Sequence, residues 1–403
     1  MVNKILFVVN QYAPDNVGGA EVTVQILAEE LRRRGTHVTI VTLSPTADDT
    51  SGQVNGIPVY RSAVANLYYP YGREQPALAR LIWHARDVHN ARMAEKVGRI
   101  IDVQKPDWVS THNLSGFSVA VWEQVKQRGL GLSHMLHDYY LLCPRTSMFK
   151  KGKNCETQCF ACRLLSHRKR SVSGQVDLVI GISRYVLDAH IRRVYFPRAR
   201  TAVIHNARPL SSASAELPRA RDKAILRIGY IGRIEAEKGI ETVLQAVSRL
   251  VPKTWQLSVA GRSPSIAYLN DLKRRYAHSE IRYVGFVESS EFYKQLDVLV
   301  VPSLWHEALG NVAFEAMEFG IPVVASRSGG LPEIIEGSDV GWLFEPGDDA
   351  ALARILAVIA TKSDQQSHEM RQRAQVRHAH FLPARQADEF LAAIEATRIE
   401  QDR

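Results

Sequence analysis

The feature that most constrains the fold is an alternation of short apolar runs with amphipathic segments, which occurs twice along the chain. The first run, Lys4–Asn10 (KILFVVN), contains an unbroken apolar stretch, as expected of a strand buried on both faces of a sheet. Val24, Leu27 and Leu31 follow it at the spacing of one helical face. Alternating strands and helices are typical of a parallel sheet covered on both sides, so the chain is expected to be α/β and doubly wound.

The same pattern of apolar runs and amphipathic segments predicts the strands and helices of both halves. In the first half the further strands are His37–Leu43, Trp108–His112, Leu132–Asp138, Asp177–Ser183 and Thr201–Asn206. In the second half the strands are Leu226–Ile234, Trp255–Arg262, Ile281–Val287, Asp297–Ser303 and Pro322–Arg327. The helices predicted there are Gly239–Val251, Ala267–Ala277, Ser289–Leu296 and Asn311–Phe319, and a helix over Leu78–Ile101 is predicted in the first half.

A chain of 403 residues is long enough for two domains. The polar stretch Pro209–Asp222 interrupts the alternation and is interpreted as a linker. We therefore expect a Rossmann-like domain over residues 1–208, a second one over 223–380, and a C-terminal helix over 381–403 that crosses back to the first domain. The carboxyl ends of the two sheets are expected to face a central cleft, because ligands bind there in this class of sheet.

Composition and charge exclude some classes of protein. With 45% hydrophobic and 23% charged residues the chain is not of the disordered type. No uncharged apolar run approaches the roughly 18 residues needed to cross a bilayer, and no signal-peptide cleavage site follows the first strand, so a cytoplasmic location is expected. Residues 1–205 hold 27 Lys and Arg against 16 Asp and Glu, and residues 206–403 hold 24 against 26. The basic first half indicates an anionic partner such as membrane phosphate or nucleic acid.

A basic pair follows the first strand of the second half. The apolar part of this strand, Leu226–Ile231, ends in Gly232 and Arg233, and Lys238 precedes Gly239 at the start of the next helix. Free amides at a helix N-terminus and two cations beside them are suited to a diphosphate. The alternative is that both side chains are solvated surface charges, which the pair alone does not exclude.

The segment Pro302–Gly320 (PSLWHEALGNVAFEAMEFG) is the most informative in the chain. Glu307 lies in a loop and Glu315 lies just over one turn inside the predicted helix, with Gly310, Asn311 and Val312 at the helix start between them. The carboxylate of Glu315 is suited to bind a diol such as a ribose. The carboxylate of Glu307 is suited to bind a second hydroxylated group. The backbone amides of Gly310–Val312 suit phosphate oxygens.

The run EALGNVAFEAMEFGIPVVASRSGGLPEII resembles the donor-site signature of GT-B glycosyltransferases, specifically the large retaining family 4. The likeness covers most of the chain. Gly18 and Gly19 match the family's glycine loop, and the stretches that contain Gly261 and Val287 match its nucleotide-side loops. The resemblance implies that the second domain holds a nucleotide-sugar and the first domain holds the acceptor.

The same resemblance implies roles for single residues in the donor site. Arg233 and Lys238 would stabilise the departing diphosphate, Glu315 would bind ribose, and Glu307 would contact hydroxyls of the sugar. Gly18 and Gly19 would let the backbone approach the donor phosphate. No metal is required if the two cations neutralise the leaving group, which then takes the acceptor proton during attack on the same face of the sugar.

Three residues of the first half are matched as well, His112 as a catalytic residue and His137 and Asp138 on the acceptor side. His112 ends a predicted strand and matches a family histidine near the reacting sugar, although a structural histidine is the alternative. His137 and Asp138 resemble a motif found in part of the family, and a positioning role is expected for them rather than a nucleophilic one.

All four cysteines of the chain, Cys143, Cys155, Cys159 and Cys162, lie within one basic insertion at about residues 143–170. Four thiolates are enough for a structural zinc site, but their spacing differs from the usual paired pattern. Free thiols are the alternative, and disulfides are not expected in a reducing cytosol.

The insertion and the predicted helix Leu78–Ile101 together carry many basic side chains, and the aromatic segment Leu67–Tyr71 precedes the helix. The basic residues are Arg80, Arg86, Arg92, Lys96, Arg99, Arg145, Lys150, Lys151, Lys153, Arg163, Arg168, Lys169 and Arg170. This surface suits peripheral docking to an anionic bilayer, where a lipid-linked acceptor would be reached. A solvated surface and a soluble acceptor are the alternative.

The sequence therefore predicts a retaining glycosyltransferase that moves a hexose-type sugar from a nucleotide-sugar to a glycan or lipid-linked acceptor, in the synthesis of cell-surface polysaccharide or lipopolysaccharide. One alternative is a GT-B-type nucleotide-sugar epimerase, and a remote one is a zinc-containing nucleic-acid-binding protein. No nucleic-acid partner is expected, because the cysteine spacing matches no groove-reading finger and no aromatic-basic RNA motif occurs.

Overall fold

A computed structural model of the chain describes residues 2–15, 18–72, 75–211, 225–337 and 339–401. The chain divides into two compact units. Unit 1 comprises Met1–Met148, Cys155–Arg208 and Pro383–Arg403, and unit 2 comprises Phe149–Asn154 and Pro209–Leu382. The predicted linker at 209–222 lies outside the described residues from position 212 onward.

Sixteen strands lie in the described residues. In chain order they are β1 (Lys4–Val8), β2 (His37–Ser44), β3 (Thr50–Val54), β4 (Ile57–Ala63), β5 (Trp108–Thr111), β6 (Gly131–Leu136), β7 (Phe149–Lys150), β8 (Lys153–Asn154), β9 (Leu178–Gly181), β10 (Arg200–Val203), β11 (Leu226–Ile231), β12 (Trp255–Ala260), β13 (Ile281–Gly285), β14 (Val298–Val301), β15 (Val323–Ser326) and β16 (Gly341–Phe344).

The α-helices of the described residues number fourteen. They are α1 (Gly19–Arg33), α2 (Ala77–Asp87), α3 (Ala91–Gln104), α4 (Ala120–Gln127), α5 (Phe160–Val172), α6 (Arg184–Ile191), α7 (Ile240–Val247), α8 (Ile266–Arg275), α9 (Ser289–Tyr293), α10 (Asn311–Glu318), α11 (Leu331–Ile335), α12 (Asp349–Ala360), α13 (Asp364–His378) and α14 (Pro383–Gln401). In the part of the chain that the structure describes, none of them has the length and apolar character required to span a bilayer.

Each unit is built on one doubly wound sheet, which confirms the predicted fold class. The strand order is β10-β9-β6-β5-β1-β2-β4-β3 in unit 1 and β13-β12-β11-β14-β15-β16 in unit 2. All neighbouring strands are parallel except β3 and β4. The direction of winding reverses between β1 and β5 in unit 1 and between β11 and β14 in unit 2. Ligands of such sheets bind at the carboxyl ends of the strands that flank these switch points.

The last helix of the chain packs in unit 1. The Phe7 and Phe390 rings lie 5.9 Å apart edge to face, so α14 contacts the central strand β1. The backbone amide of Val2 donates to Oε1 of Glu395 at 2.7 Å, and Nε2 of Gln386 donates to the His205 carbonyl at 3.1 Å. These contacts explain why the C-terminal helix belongs with the N-terminal residues.

Three local features differ from the predictions. The predicted helix Leu78–Ile101 is wrong, because the chain forms two helices, α2 and α3, and the side chain of Asn90 caps α3 by accepting from the amide of Met93 at 3.2 Å. The antiparallel pair of β3 and β4 was not predicted. The short hairpin of β7 and β8 belongs to unit 2, although it lies within the residues predicted as the first domain.

Candidate active site

At the switch point of unit 2, two glycines bring the ends of adjacent strands together. Gly232 follows β11 and donates its amide to the Ala260 carbonyl at 3.1 Å. Gly261 follows β12 with a φ of +130°, and a Cβ at this position would lie 1.8 Å from the Gly232 carbonyl oxygen. A larger residue at Gly261 would therefore push apart the loop that carries the predicted diphosphate residues.

The loop after β11 also packs against the loop after β14. Gly239 has a φ of +72°, and a Cβ there would lie 1.9 Å from the Pro302 carbonyl oxygen. Beside this contact, Nζ of Lys238 lies 2.7 Å from Oε1 of Glu307, and the Ser303 hydroxyl donates to the same oxygen at 2.6 Å. Two predicted site residues from different loops therefore form one ion pair, which we call the Lys238–Glu307 pair.

The Lys238–Glu307 pair is mostly buried. The side chains are 20% and 10% exposed, and Nζ of Lys238 also lies 4.8 Å from the centre of the Trp305 ring. Burial by itself would raise the pKa of Glu307, but the Lys238 ammonium and the Ser303 hydroxyl favour the carboxylate and leave the pKa below its ordinary value. Glu307 is therefore ionised at neutral pH and holds the lysine in a fixed position.

Arg233 differs from Lys238 in its environment. Its side chain is 57% exposed and forms ion pairs with Glu235 at 2.9 Å and Glu237 at 3.3 Å. Exposed pairs of this kind contribute little to stability and rearrange easily. The structure thus places one predicted cation in a fixed, buried pair and the other on the surface of the same loop.

The predicted ribose and phosphate residues lie on α10. Gly310 caps this helix in the left-handed conformation, Asn311 begins it, and Val312 follows, both of them half-buried. Glu315 is half-buried one turn further on, and the Tyr293 hydroxyl lies 3.4 Å from its Oε2. The N-terminus of an α-helix carries a partial positive charge that favours an anion, and here the Ala313 amide donates to the Gly310 carbonyl at 3.0 Å.

The remaining predicted donor residue, Val287, follows β13 and is half-buried. Beside it Phe286 is 74% exposed, and the guanidinium carbon of Arg262 lies 4.7 Å from the centre of the Phe286 ring. Neither Phe286 nor Arg262 was singled out as a site residue. An aromatic residue directly after a predicted strand was the signal available in the sequence.

In unit 1 two histidines meet where β5 and β6 end. His112 and His137 are buried, and Nδ1 of His112 lies 3.0 Å from Nε2 of His137 in a hydrogen bond. Burial lowers the pKa of His137 to about 4, and burial together with His137 and His134 lowers the pKa of His112 well below its ordinary value. Both rings are therefore neutral at pH 7. Nδ1 of His137 is buried with no hydrogen-bond partner among the described residues.

Asp138 lies next to this histidine pair. Its carboxylate accepts from the side-chain amide of Asn113 at 2.9 Å and from the backbone amide of Tyr140 at 2.7 Å. Burial raises the pKa of Asp138 to about 7, although the hydrogen bond from Tyr140 opposes the shift. The Asn10 amide donates to the Asn113 carbonyl at 3.1 Å, which ties this cluster to the end of β1. The predicted catalytic residue His112 and the predicted acceptor-side residues His137 and Asp138 thus lie together in unit 1, and we call these three residues the histidine cluster.

The predicted glycine loop contains an acid that sequence reasoning missed. Gly18 caps α1 and Gly19 begins it, and Glu21 is buried in the first turn. Burial raises the pKa of Glu21, and hydrogen bonds from the amides of Glu21 and Gly18 partly offset the shift. A Cβ at Gly18 would lie 2.6 Å from Oε2 of Glu21. The carboxylate of Glu21 therefore occupies amides that the predicted phosphate contact would use.

Two further charged residues near Asp138, Asp87 and Lys169, were not predicted as site residues. Asp87 is buried and accepts from the Tyr140 hydroxyl at 2.7 Å and from the Gly116 amide at 2.7 Å. Nζ of Lys169 donates to the Tyr140 carbonyl at 3.2 Å and lies 3.4 Å from the centre of its ring. Burial raises the pKa of Asp87 to about 6, with Lys169 opposing it. Nothing in the local sequence distinguishes Asp87 or Lys169 from surface charges.

None of the four cysteines of the predicted zinc site is in a disulfide. Within the described ranges no three His, Cys, Asp or Glu side chains are grouped so that they could hold a metal ion. Cys143 is buried whereas Cys159 is exposed at the start of α5, so the thiols lie at different depths. A hydrogen bond from Cys162 lowers the pKa of Cys143 to about 6. Cys162 also forms a hydrogen bond with Cys159, so three of the four thiols lie in contact, and the structural zinc site stays a prediction.

Comparison with known protein families gives two matches that together span both units. Residues 17–211 match the family described as "Glycosyltransferase Family 4", and residues 226–362 match the family described as "Glycosyl transferases group 1". The first range contains the histidine cluster and the second contains the Lys238–Glu307 pair.

Individual proteins are similar over part or most of the chain. An "Uncharacterized 42.6 kDa protein in cps region" of Klebsiella pneumoniae is 32% identical over 82% of this chain and 87% of its own. The lipopolysaccharide core biosynthesis mannosyltransferase LpsB of Rhizobium meliloti is 32% identical over 35% of this chain and 43% of its own. Among solved structures, Anabaena Alr3699/HepE in complex with UDP and glucose superposes with a TM-score of 0.69 at 19% identity, covering 98% of this chain and 100% of its own.

Proposed function

The chain belongs to glycosyltransferase family 4, which has the GT-B fold, and from this membership we propose that it transfers a hexose-type sugar from a nucleoside diphosphate to a glycan or lipid-linked acceptor. The observation that carries the proposal is the Lys238–Glu307 pair. A buried ion pair contributes little to stability compared with apolar packing, so its position at the switch point of unit 2 favours a role in ligand binding.

The chemistry of the leaving group supports a nucleoside diphosphate donor. Cleavage of a sugar–phosphate bond leaves negative charge on the diphosphate, and fixed cations and helix amides stabilise such charge without reorganising. Lys238 supplies a fixed ammonium, and α10 supplies a helix N-terminus from a neighbouring loop. The Anabaena protein of similar fold was solved with UDP and glucose, which is consistent with a donor of this class.

In this proposal Arg233 and Lys238 both bind the diphosphate, but in different ways. Lys238 is held in place by Glu307 and needs no rearrangement, whereas the exposed Arg233 exchanges its pairing with Glu235 and Glu237 for the arriving anion. Glu307 then keeps one oxygen on Lys238 and offers the other to hydroxyls of the sugar, and Glu315 offers its carboxylate to the ribose.

The histidine cluster supports an acceptor site in unit 1. The buried Nδ1 of His137 has no partner among the described residues, and an acceptor hydroxyl would satisfy it. Because His112 and His137 are neutral at pH 7, we assign them to orientation of sugar and acceptor and not to charge stabilisation. The acceptor proton passes to the leaving phosphate, the new bond forms on the same face of the sugar, and the anomeric configuration is retained.

We also propose that the acceptor is an intermediate of cell-surface polysaccharide or lipopolysaccharide synthesis. The similarity to a protein in the cps region of Klebsiella pneumoniae and to a lipopolysaccharide core mannosyltransferase supports this assignment. The sugar and base of the donor are decided by pocket side chains rather than by the fold.

The test is to replace Lys238 and measure donor turnover. Lys238→Gln is expected to reduce kcat by about 10²–10³-fold, because one preorganised charge on the leaving group is lost. The variant also leaves Glu307 buried without a partner, so it is less stable. The double variant Lys238→Gln/Glu307→Gln replaces the ions by a neutral amide pair and is expected to recover stability without recovering turnover.

A matched control is Lys362→Gln, which removes a lysine of unit 2 that lies 5.7 Å from the centre of the Trp342 ring. Its turnover is expected to equal that of the wild type. A metal chelator in the assay is expected to leave both turnovers unchanged, because the cations of the chain neutralise the leaving group. Full turnover in Lys238→Gln would contradict the diphosphate assignment. Consumption of donor without a glycosylated product would favour the epimerase alternative.

A further inference from the structure

Helix α2 exposes the apolar face that a surface helix normally buries. Leu78, Leu81 and Ile82 follow the i, i+3, i+4 spacing of one face, and they are 69%, 56% and 41% exposed. The opposite side of the helix buries Trp83 and Asp87. The three side chains therefore point to solvent because the helix is anchored by its other face.

The segment that precedes α2 extends this surface. Leu67 and Tyr71 are 44% and 37% exposed, and the Tyr71 hydroxyl accepts from the side-chain amide of Asn10. Nε1 of Trp83 donates to the Tyr68 carbonyl at 3.0 Å, and the Trp83 and Tyr68 rings stack with their centres 6.0 Å apart. We call Leu67, Tyr71, Leu78, Leu81 and Ile82 together the α2 patch. Grouped exposure of this kind marks an interaction site more often than scattered apolar residues do.

The charges beside the α2 patch are positive. Arg80 and Arg86 lie on the same helix and are exposed, and neither has a salt bridge in the part of the chain that the structure describes. The single acid of α2, Asp87, is buried at its end. Two copies of the chain that met through this patch would bring these arginines together, and the repulsion disfavours self-association.

Helix α5 carries the same combination of side chains. Phe160 and Leu164 lie one turn apart and are 77% and 65% exposed, and Arg163 and Arg168 lie on the same helix. Tyr140 links the two helices, because its hydroxyl donates to Asp87 of α2 and its carbonyl accepts from Lys169 of α5. Unit 1 therefore has two connected helices with outward apolar residues beside cations.

Helix α3 carries basic residues of its own beyond the break that separates it from α2. Nζ of Lys96 donates to Oδ1 of Asp49 at 2.6 Å, whereas Arg92 and Arg99 are exposed. The basic surface predicted from sequence over residues 78–101 is therefore divided between two helices.

We propose that the α2 patch docks unit 1 onto an anionic lipid bilayer as a peripheral contact. Apolar side chains flanked by arginines suit the boundary between acyl chains and headgroups, where Leu and Ile enter the apolar layer and Arg contacts lipid phosphates. The inference uses only the surface of unit 1 and does not depend on the proposed function. With that function, docking brings a lipid-linked acceptor to the unit that holds the histidine cluster.

Co-sedimentation of the full chain with vesicles tests the proposal. The wild type is expected to bind vesicles of phosphatidylcholine mixed with phosphatidylglycerol, to bind pure phosphatidylcholine less, and to dissociate as salt is raised. Leu78→Ser/Leu81→Ser/Ile82→Ser is expected to lower the partition coefficient by at least about tenfold, because each apolar side chain contributes to insertion. The control Val251→Ser/Val358→Ser/Val376→Ser replaces three exposed valines of unit 2 and is expected to bind as the wild type does.

Circular dichroism and nucleotide binding of the triple variants, both expected to be unchanged, separate loss of docking from loss of folding. The proposal is overturned if the wild type ignores anionic vesicles at low salt or if the α2 variant binds them equally well. It is also overturned if the variant changes only the oligomeric state, which would identify a second copy as the occupant. Nucleotide binding without vesicle binding would leave the proposed function intact and reject the docking surface alone.

Discussion

Asp138 shows how burial gives one carboxyl group an unusual titration. Its ordinary pKa is 3.8, and burial raises the value to about 7 in the folded chain. The groups that face it include Lys169, which favours the carboxylate, and Glu21 and Cys143, whose charges oppose it. The folded chain therefore binds a proton at this position in a pH range where the unfolded chain has released it.

This difference predicts a pH dependence of stability. Between about pH 4 and about pH 7 the folded state binds more protons at Asp138 than the unfolded state, so this group makes the free energy of unfolding fall as pH rises. Asp138→Asn removes the titration, and its urea midpoint is expected to decline less over this range than that of the wild type. Parallel profiles for the two proteins would show that Asp138 titrates normally.

Asp102 is a control, because its pKa shift has the opposite direction from that of Asp138. Its side chain is exposed, and a hydrogen bond from Arg128 lowers its pKa. A lowered carboxyl pKa contributes stability above the unfolded pKa that is lost as pH falls through the folded pKa. Asp102→Asn is therefore expected to remove a small gain in stability with rising pH, in contrast to Asp138→Asn.

At the scale of single residues, the sequence indicated the site only where a local pattern surrounded the residue. Lys238 was found because it precedes Gly239 at a helix start, and Glu307 was found because it lies three residues before Gly310 at another helix start. Their mutual ion pair was not predicted, because the two residues lie 69 positions apart. Glu21 and Asp87 were missed because an acid in an amphipathic helix looks the same in sequence whether it is buried or solvated.

At the scale of elements, two strands end in glycines that are required for different reasons. One glycine avoids a steric clash as well as backbone strain, and the other avoids backbone strain alone. Gly261 and Gly285 close adjacent strands, β12 and β13, with φ values of +130° and +73°. A Cβ at Gly261 would lie 1.8 Å from the Gly232 carbonyl oxygen, whereas a Cβ at Gly285 meets nothing within 4 Å. The first position therefore has both backbone strain and a steric clash, and the second has backbone strain alone.

Gly285→Ala is expected to lower the free energy of unfolding by about 1–2 kcal/mol, the cost of a left-handed conformation for an L-residue. Gly261→Ala is expected to cost clearly more and to weaken nucleotide binding, because the clash displaces the loop that leads to Lys238. Urea denaturation and nucleotide titration of both variants measure the two effects. Equal losses in the two variants would show that the close approach at Gly261 has no energetic consequence.

The elements themselves were predictable to different degrees. Strands such as β1 and β14 were found because parallel strands buried on both faces appear as continuous apolar runs. The hairpin of β3 and β4 was missed because β3 is polar and exposed, although Asn55 and Gly56 at its turn are a hairpin signal. Its sequence lacked the apolar run on which the other predictions relied.

At the scale of the whole molecule, the last helix, α14, packs in the unit that contains the first strand. Ala387, Phe390 and Ile394 of α14 are fully buried in unit 1, and Phe390 contacts Phe7 of the first strand. The core of unit 2, in contrast, is formed by residues between Leu226 and Ile359. The sequence predicted that the helix over 381–403 crosses back to the first domain, but its local pattern did not indicate which of its residues enter the core.

This arrangement predicts that a defect at the last helix destabilises the unit that contains the first strand. Phe390→Ala removes a buried aromatic side chain and is expected to lower the free energy of unfolding by about 3–5 kcal/mol. Ile399→Ala on the same helix removes a side chain that is 54% exposed, and it is expected to cost less than about 0.5 kcal/mol. Hydrogen exchange locates the effect, because Phe390→Ala should reduce amide protection in β1 while the amides of β11 keep theirs. Loss of protection in β11 with β1 unaffected would show that α14 does not stabilise the first unit.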